Sequence, residues 1–257
     1  MRVRELFDLD GQVALITGGS RGLGLQMAQA LGEMGCRVVI TARKADELAQ
    51  ASSQLRELGV DATTIVSDLQ NPAAVAPLVD ATLAARGQID ILVNNAGATW
   101  GAPAEDYPDE AWHKVMNLNV NAPFFLAREV GKRSMIARRH GKIINVASIA
   151  GLKGSLGPMQ TIAYNTSKAA AINFTRALAA EWGKYDINVN AICPGFFPSK
   201  MTAGLLDKLG QTVVEQTPLH RLGDDDDLKG AVVFLASRAS RHVTGQYLAV
   251  DGGASVV

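Results

Sequence analysis

The chain has 257 residues, 47% of them hydrophobic and 19% charged, enough to bury a large core in an ordinary globular protein. Its 25 basic and 25 acidic residues cancel to a formal net charge of zero, which argues against a nucleic-acid backbone or an anionic membrane surface as partner. No apolar run is long enough to span a bilayer, and the opening MRVRELFDLDGQVALITGG reads as a charged start to a strand, not as a signal peptide. Cys36 and Cys193 lie far apart in apolar surroundings and read as buried, reduced thiols, so a cytoplasmic location is expected.

The predicted elements alternate. VALITGG (13–19) is a strand, and a helix follows from about Leu23 to Met34. RVVITAR (37–43) precedes the helical ADELAQASSQLRELG. ATTIVSD (62–68) leads into PAAVAPLVDATLAARG, where Pro72 suits a first helical turn. IDILVNNAG (89–97) is followed, after a loop, by a long helical stretch ending near Arg139. GKIINVAS (141–148) comes before a glycine-rich loop and a helix from about Tyr164 to Lys184, and then INVNAICPG (187–195) and QYLAVDGG close the series. Strands that alternate with helices of this length predict right-handed crossovers. The fold class is α/β: a doubly wound parallel sheet of the Rossmann type, about seven strands with helices on both faces. No linker divides the chain, so residues 1–257 read as a single dinucleotide-binding and catalytic domain. The segment at about 196–223 fits neither pattern and reads as a substrate lid. DDDD (224–227) reads as the charged start of a helix, and the four histidines show no ligand spacing, so no metal site is expected.

TGGSRGLG (17–24) stands between the first strand and the first helix. Gly18, Gly22 and Gly24 let the backbone turn tightly and approach a pyrophosphate, and the helix N-terminus offers free N–H groups. A plain βα turn would use the same glycines; the placement favours the phosphate site. The second strand ends in TARKAD, with Ala42 and Arg43 where an acid that binds the ribose of NAD would stand, and Arg21 sits in the glycine loop. Two guanidiniums near one ribose suit a 2′-phosphate and favour NADP over NAD.

In AYNTSKAA (163–170), Tyr164 and Lys168 stand four residues apart and share a helix face. An ammonium beside a phenol stabilises the phenolate and is expected to lower its pKa towards the range of general acid–base work. Ser148 ends the fifth strand at the carboxyl edge of the sheet, where ligands bind in open α/β folds and where a hydroxyl can hydrogen-bond a carbonyl oxygen.

With TGGSRGLG, NNAG (94–97), NLNVNAPF (117–124), INVAS (144–148), YNTSK (164–168), NVNAICPG (188–195) and VDGG (250–253) in this order, the chain resembles the short-chain dehydrogenases/reductases over nearly its whole length. The resemblance implies that Tyr164 is the catalytic acid in ketone reduction and the base in alcohol oxidation. It implies that Lys168 lowers the tyrosine pKa and bonds the nicotinamide ribose, and that Ser148 polarises the carbonyl. It makes Asn119 the asparagine of a proton relay through water, with Asn117 and Asn121 as neighbouring alternatives. It assigns the cofactor, NADP(H), to Gly18, Ser20, Arg21, Gly22, Leu23, Gly24, Arg43, Asp68, Leu69, Asn95, Gly97, Tyr164, Lys168, Pro194, Gly195, Phe197 and Ser199, with Thr202 as a second hydroxyl beside Ser199. Sixteen positions separate Ser148 from Tyr164, more than the family pattern leaves, and the extra residues in GLKGSLGPMQTIA are expected to border the substrate pocket.

The substrate is less legible. Phe196 and Phe197 could wall an apolar pocket or simply pack in the core, and Trp100 lies near the pocket mouth. Lys153 and Lys200 read as solvated. The pattern is similar both to 3-oxoacyl-acyl-carrier-protein reductases and to gluconate 5-dehydrogenases. It implies a small ketone or secondary alcohol as substrate, reduction as the direction, and a homotetramer built through the helices after the fourth and fifth strands and the C-terminal strand. The rival readings are a non-catalytic NADP-binding regulator and a scaffold subunit of a larger synthase.

Overall fold

The computed structural model describes residues 1–154 and 159–257. Its centre is one parallel sheet of seven strands in the order β3-β2-β1-β4-β5-β6-β7. The strands are β1 (Val13–Thr17), β2 (Arg37–Ala42), β3 (Ala62–Val66), β4 (Ile91–Asn94), β5 (Gly141–Val146), β6 (Ile187–Pro194) and β7 (Tyr247–Val250). The chain winds outward from β1 to β3, then crosses back to β4 on the other side of β1. The β1–β4 junction is therefore the switch point, where an open α/β sheet leaves a crevice.

A short helix α1 (Val3–Leu6) precedes the sheet. The helices α2 (Gly22–Glu33), α3 (Ala45–Glu57) and α10 (Lys229–Ala236) cover one face. The other face carries α4 (Val75–Arg86), α6 (Ala122–Val130) and α8 (Ile162–Trp182). Strand periodicity divides the core: Ala14 and Ile16 of β1 point to the first group, Val13 and Leu15 to the second. Every residue of β1, β4 and β5 is buried, as continuous apolar runs require when helices sandwich the sheet. The edge strands β3 and β7 are only partly covered.

The long helical stretch is built in segments: α5 (Asp109–Met116), a π-helical turn at Asn117–Asn121, α6, a second π-helical turn at Gly131–Met135, and α7 (Ile136–Arg138). It stops where Arg139 turns left-handed at φ 50°. Helix α8 starts two residues before Tyr164 and ends at Trp182, with a 3₁₀ turn at Gly183–Tyr185 and a left-handed Asp186 before β6. The segment 196–223 holds a 14-residue helix, α9 (Ala203–Gln216), whose one buried residue is Val213. The acids of 224–227 precede α10 instead of forming its first turn, and their side chains pair with cations and amides around the helix start. Asp225 accepts from Gln26, Asp226 pairs with Lys229, and Asp227 takes the Arg221 guanidinium. Residues 155–158, within the loop expected to border the substrate pocket, lie outside the described residues.

At the amino edge of the sheet, opposite the crevice, Asp90 is 2% exposed. It accepts from the Val13 N–H at 2.8 Å, the Gln88 amide at 2.8 Å and the Arg138 guanidinium at 2.6 Å. Lys142, at the start of β5, is also buried and donates to Asn188 at 2.7 Å. Burial holds its pKa down to about 8, against a weaker upward pull from Asp186. Unfolding restores the ordinary lysine value, so above pH 8 the unfolded chain binds the extra proton and stability rises with pH. Between pH 8 and 9 Lys142 should contribute about 1 kcal/mol of this rise. In urea unfolding at the two pH values, Lys142→Met should flatten the increase by that amount.

Candidate active site

The glycine loop is held by a side chain from across the switch point. Asn95, just past β4, donates from Nδ2 to the carbonyls of Thr17 at 2.9 Å and Gly18 at 3.1 Å. Thr17 accepts the N–H groups of Asn95 at 2.9 Å and Ala96 at 3.0 Å through Oγ1 and donates to the Val93 carbonyl. The turn at Gly18 has φ 63°, open to glycine but strained for other residues. A Cβ at Gly24 would stand 2.3 Å from the Gly18 carbonyl oxygen and 2.4 Å from Asn95 Nδ2. The absence of that methyl lets α2 begin directly on the loop and aim its free N–H groups into the crevice.

This cradle fits a dinucleotide. It combines a backbone bed at a helix N-terminus, a buried Ser67 hydroxyl with no partner among the described residues where β3 ends, and a cluster of cations beside it. The cations are Arg21, Arg43 and Lys44. Arg21 and Lys44 pair with Glu47 at 2.7 and 3.2 Å, while Arg43 has no ion pair among the described residues. Lys44 and Glu47 escaped the sequence reading because a basic and an acidic residue at a helix start carry no signature along the chain. Ser20 also donates to Glu47, at 3.4 Å.

The catalytic candidates converge at the carboxyl edge of β5. Ser148 is 8% exposed and leaves the strand with extended backbone, its Oγ accepting the Ala150 N–H at 3.1 Å. A 3₁₀ turn, Ile149–Gly151, then lies on α8, where a Cβ on Gly151 would come within 2.5 Å of the Lys168 backbone. That approach brings Ser148 beside Tyr164, close enough for its hydroxyl to favour the phenolate. Lys168 is buried and donates to the Val146 carbonyl at 2.6 Å; its Nζ lies 5.5 Å from the centre of the Tyr164 ring. Burial lowers the lysine to about 8. Burial pushes the Tyr164 phenol upward, with the Ser148 hydroxyl opposing it. The expected depression of the phenol by Lys168 is therefore corrected. The ammonium is spent on a backbone carbonyl and is itself destabilised, so desolvation of the phenolate prevails.

Asn119 sits in the first π-helical turn and is 4% exposed. It holds both backbone groups of Ala98, accepting at 2.8 Å and donating at 2.9 Å, and reaches Ser167 at 2.9 Å. Asn121 donates to Asn117 away from this cluster, so of the three asparagines it is Asn119 that faces the site. Gly97 lies beside both: a Cβ there would be 3.4 Å from Asn119 Oδ1 and 3.8 Å from Lys168 Nζ. A hollow of about 10 Å³ is lined by Asn94, Asn119, Asn145 and Val146. Beneath it Asn94 donates to Asn145 and Asn145 to Thr175, both at 2.9 Å, tying β4, β5 and α8 together. This buried ladder was missed; its signal was polar residues within otherwise apolar strands.

Other candidates fall into two groups. Gly22 and Leu23 open α2, Asp68 caps the turn after β3, and Pro194 and Gly195 end β6 at the same edge. Ser199 and Thr202 lie just beyond and bond each other at 3.0 Å. The side chains of Leu69 and Phe197 are instead turned into the core, at 7% and 4% exposure, with the Phe197 ring filling the space above Gly223. Apolar side chains at a cleft edge gain more from the core than from solvent; Phe197 also lines a cavity with Phe196, Pro218 and Gly252. Lys153 is exposed, as expected, and its ammonium also donates to the backbone oxygens of Ala254 at 2.6 Å and Val257 at 3.1 Å. Among the described residues no cluster of histidine, cysteine and acidic side chains could hold a metal ion, and no helix is long and apolar enough to cross a membrane.

A family model described as enoyl-(acyl carrier protein) reductase matches residues 18–255. The gluconate 5-dehydrogenase of Gluconobacter oxydans is 40% identical over 254 residues, 98% of each chain. The rhamnolipids biosynthesis 3-oxoacyl-[acyl-carrier-protein] reductase of Pseudomonas aeruginosa is 39% identical, covering 96% of this chain and 97% of that one. The structure of a gluconate 5-dehydrogenase from Burkholderia cenocepacia in complex with NADP and tartrate superposes with a TM-score of 0.93, at 38% identity and 100% coverage of both chains. With a Rossmann-type sheet and a serine, tyrosine and lysine gathered at its switch edge, the chain belongs to the short-chain dehydrogenase/reductase family. It is an oxidoreductase that works with a nicotinamide cofactor.

The Gly151 approach is open to test. Gly151→Ala should push the 3₁₀ turn off α8, separate Ser148 from Tyr164, and lower kcat about tenfold or more. Dinucleotide affinity should change little, since Gly151 is remote from the glycine loop; steady-state kinetics with a parallel binding titration would measure both.

Proposed function

We propose that the protein reduces a ketone with NADPH, and that the substrate carries an apolar chain, as a 3-oxoacyl thioester does. The observation that carries the reading is the character of the mouth. Trp100 is 46% exposed and Ile162 45%. Trp100 and Ile162 lie on segments that hydrogen-bond each other, through the Ala102 N–H and the Gln160 carbonyl. Of the basic side chains nearby, Lys153 donates to backbone oxygens at the chain end, and Lys200 is exposed beside the Glu47 cluster. Exposed apolar side chains gathered at one opening suit an acyl chain better than a polyhydroxy acid.

When bound, NADPH supplies a hydride to the carbonyl carbon. The Ser148 hydroxyl hydrogen-bonds the carbonyl oxygen and steadies the charge that develops there. Tyr164 gives that oxygen its proton. Burial keeps the phenol protonated, which is the form reduction needs and the wrong one for oxidation. Lys168, with a pKa near 8, is charged at neutral pH and stands ready to bond ribose hydroxyls. Asn119 fixes the backbone at Ala98 and lines the hollow beside Val146, whose volume is about that of one water, so a proton could be resupplied through it. Arg21 and Arg43, with Lys44, would hold the ribose 2′-phosphate; relatives crystallised with NADP support this choice.

A second reading, oxidation of a sugar acid, is favoured by the gluconate dehydrogenases among the relatives. The two are separated by following nicotinamide absorbance with NADPH and a 3-oxoacyl thioester, and with NADP and gluconate. The thioester should give the larger kcat/KM, and a larger value for gluconate overturns the proposal. Tyr164→Phe should lose turnover by about 10³-fold while still binding NADPH, which also separates an enzyme from a cofactor-binding regulator.

We also infer a homotetramer. Phe124 is 44% exposed on α6 and meets the rings of Phe125 and, on α8, Phe174 edge to face, and Tyr247 and Leu248 are 42% and 40% exposed on β7, an edge strand that leaves backbone groups unpaired. Sedimentation velocity should show four copies, and the pair Phe124→Glu with Tyr247→Glu should reduce the assembly to smaller species.

A further inference from the structure

The cofactor reading leaves one residue unexplained. Glu47 stands in the middle of the cations that should receive the 2′-phosphate. One carboxylate oxygen takes Arg21 at 2.7 Å and Lys44 at 3.2 Å; the other accepts the Ser20 hydroxyl of the glycine loop at 3.4 Å. The side chain of Glu47 is 21% exposed, against 52% for Arg21 and 59% for Lys44, so the carboxylate is sheltered by its partners. The Lys44 hydrogen bond and the nearby Arg21 and Lys200 hold its pKa below the usual carboxylate range. It is therefore an anion at neutral pH, in the place where another anion must dock.

A guanidinium binds a phosphate best through two parallel N–H bonds, and a carboxylate uses the same donors. Glu47 already occupies Nη1 of Arg21. A cofactor with a 2′-phosphate must displace this bond or accept a neighbouring negative charge. A cofactor with a free 2′-hydroxyl does neither. It meets an arginine whose charge is already balanced.

We propose that Glu47 is a built-in counter-ion that competes with the ribose 2′-phosphate for Arg21 and so sets how strongly the enzyme prefers NADP over NAD. The inference rests on the reading of Arg21 and Arg43 as 2′-phosphate ligands. Arg43, with no ion pair of its own among the described residues, gives the phosphate its uncontested partner, and Glu47 tempers the second. The position differs from the acid that binds ribose at the end of β2 in NAD enzymes: Glu47 lies in the first turn of α3 and acts through the arginine, not through the sugar.

The test is calorimetric binding of 2′,5′-ADP and of 5′-AMP, two fragments that differ by the phosphate in question, so no turnover is needed. Glu47→Gln should tighten 2′,5′-ADP about fivefold at low salt and leave 5′-AMP unchanged, with the gain shrinking as salt rises. Glu47→Ala is the second variant, in case the glutamine keeps a hydrogen bond to Arg21. Unchanged or weaker 2′,5′-ADP binding in both variants overturns the inference and makes Glu47 a support that orients Arg21. Arg21→Met, measured in parallel, separates the two layers. If it lowers the ratio of 2′,5′-ADP to 5′-AMP affinity while the Glu47 variants do not raise it, only the inference fails. If it leaves the ratio unchanged, the arginine reading fails and the inference falls with it.

Discussion

The close seating of α8 on the end of β5 is the constraint on which the site depends. At Gly151 the chain leaving β5 lies directly on the helix backbone, with no space for a methyl group. A few residues away the Lys168 ammonium spends a 2.6 Å bond on the Val146 carbonyl, and Asn145 reaches across to Thr175. These contacts place the Ser148 hydroxyl against the Tyr164 phenol. They also bury Lys168 and half-bury Tyr164, and this loss of water moves their pKa values in opposite senses, phenol upward and ammonium down. The same packing that assembles the site thus fixes its protonation: a neutral phenol ready to give a proton, beside a lysine near the point of losing one.

The switch point provides the second half of the site. Asn95 and Thr17 bind the end of β4 to the glycine loop, and Asn119 ties the chain just beyond, at Ala98, to the long helix and to Ser167 of α8. Cofactor crevice and catalytic group are therefore connected through the short segment 95–98, which side chains hold at both ends. Each of these amides and hydroxyls is satisfied within the protein, so the network orders the crevice without leaving a buried polar group to pay for. The amino edge of the sheet is fastened by a separate network around Asp90 and Lys142, which leaves the carboxyl edge to chemistry.

The mouth and the phosphate end differ in kind. Around Trp100 and Ile162 the surface is apolar and its nearby lysine is bound to chain-end carbonyls. Around Arg21 it is crowded with charge of both signs. Specificity for the substrate accordingly rests on apolar area and shape, whereas specificity for the cofactor rests on a balance of charges at short range, where a single carboxylate counts.

The sequence by itself determined the architecture and the reacting groups. Strand and helix periods are local, so the seven strands and the parallel winding were legible from patterns of a few residues, and the four-residue spacing of Tyr164 and Lys168 placed them on one helix face. The tertiary structure decided what depends on surroundings. That Lys168 bonds a backbone carbonyl, and that burial outweighs it at the phenol, follows from packing between β5 and α8, residues some twenty positions apart. Leu69 and Phe197 turned inward because the core offered more than the cleft, and Lys153 found carbonyls about a hundred residues away along the chain. Glu47 carries no signature along the chain, and only the fold sets it against Arg21, 26 positions earlier. Charge, exposure and pKa are set by neighbours in space, and a sequence lists neighbours only along the chain.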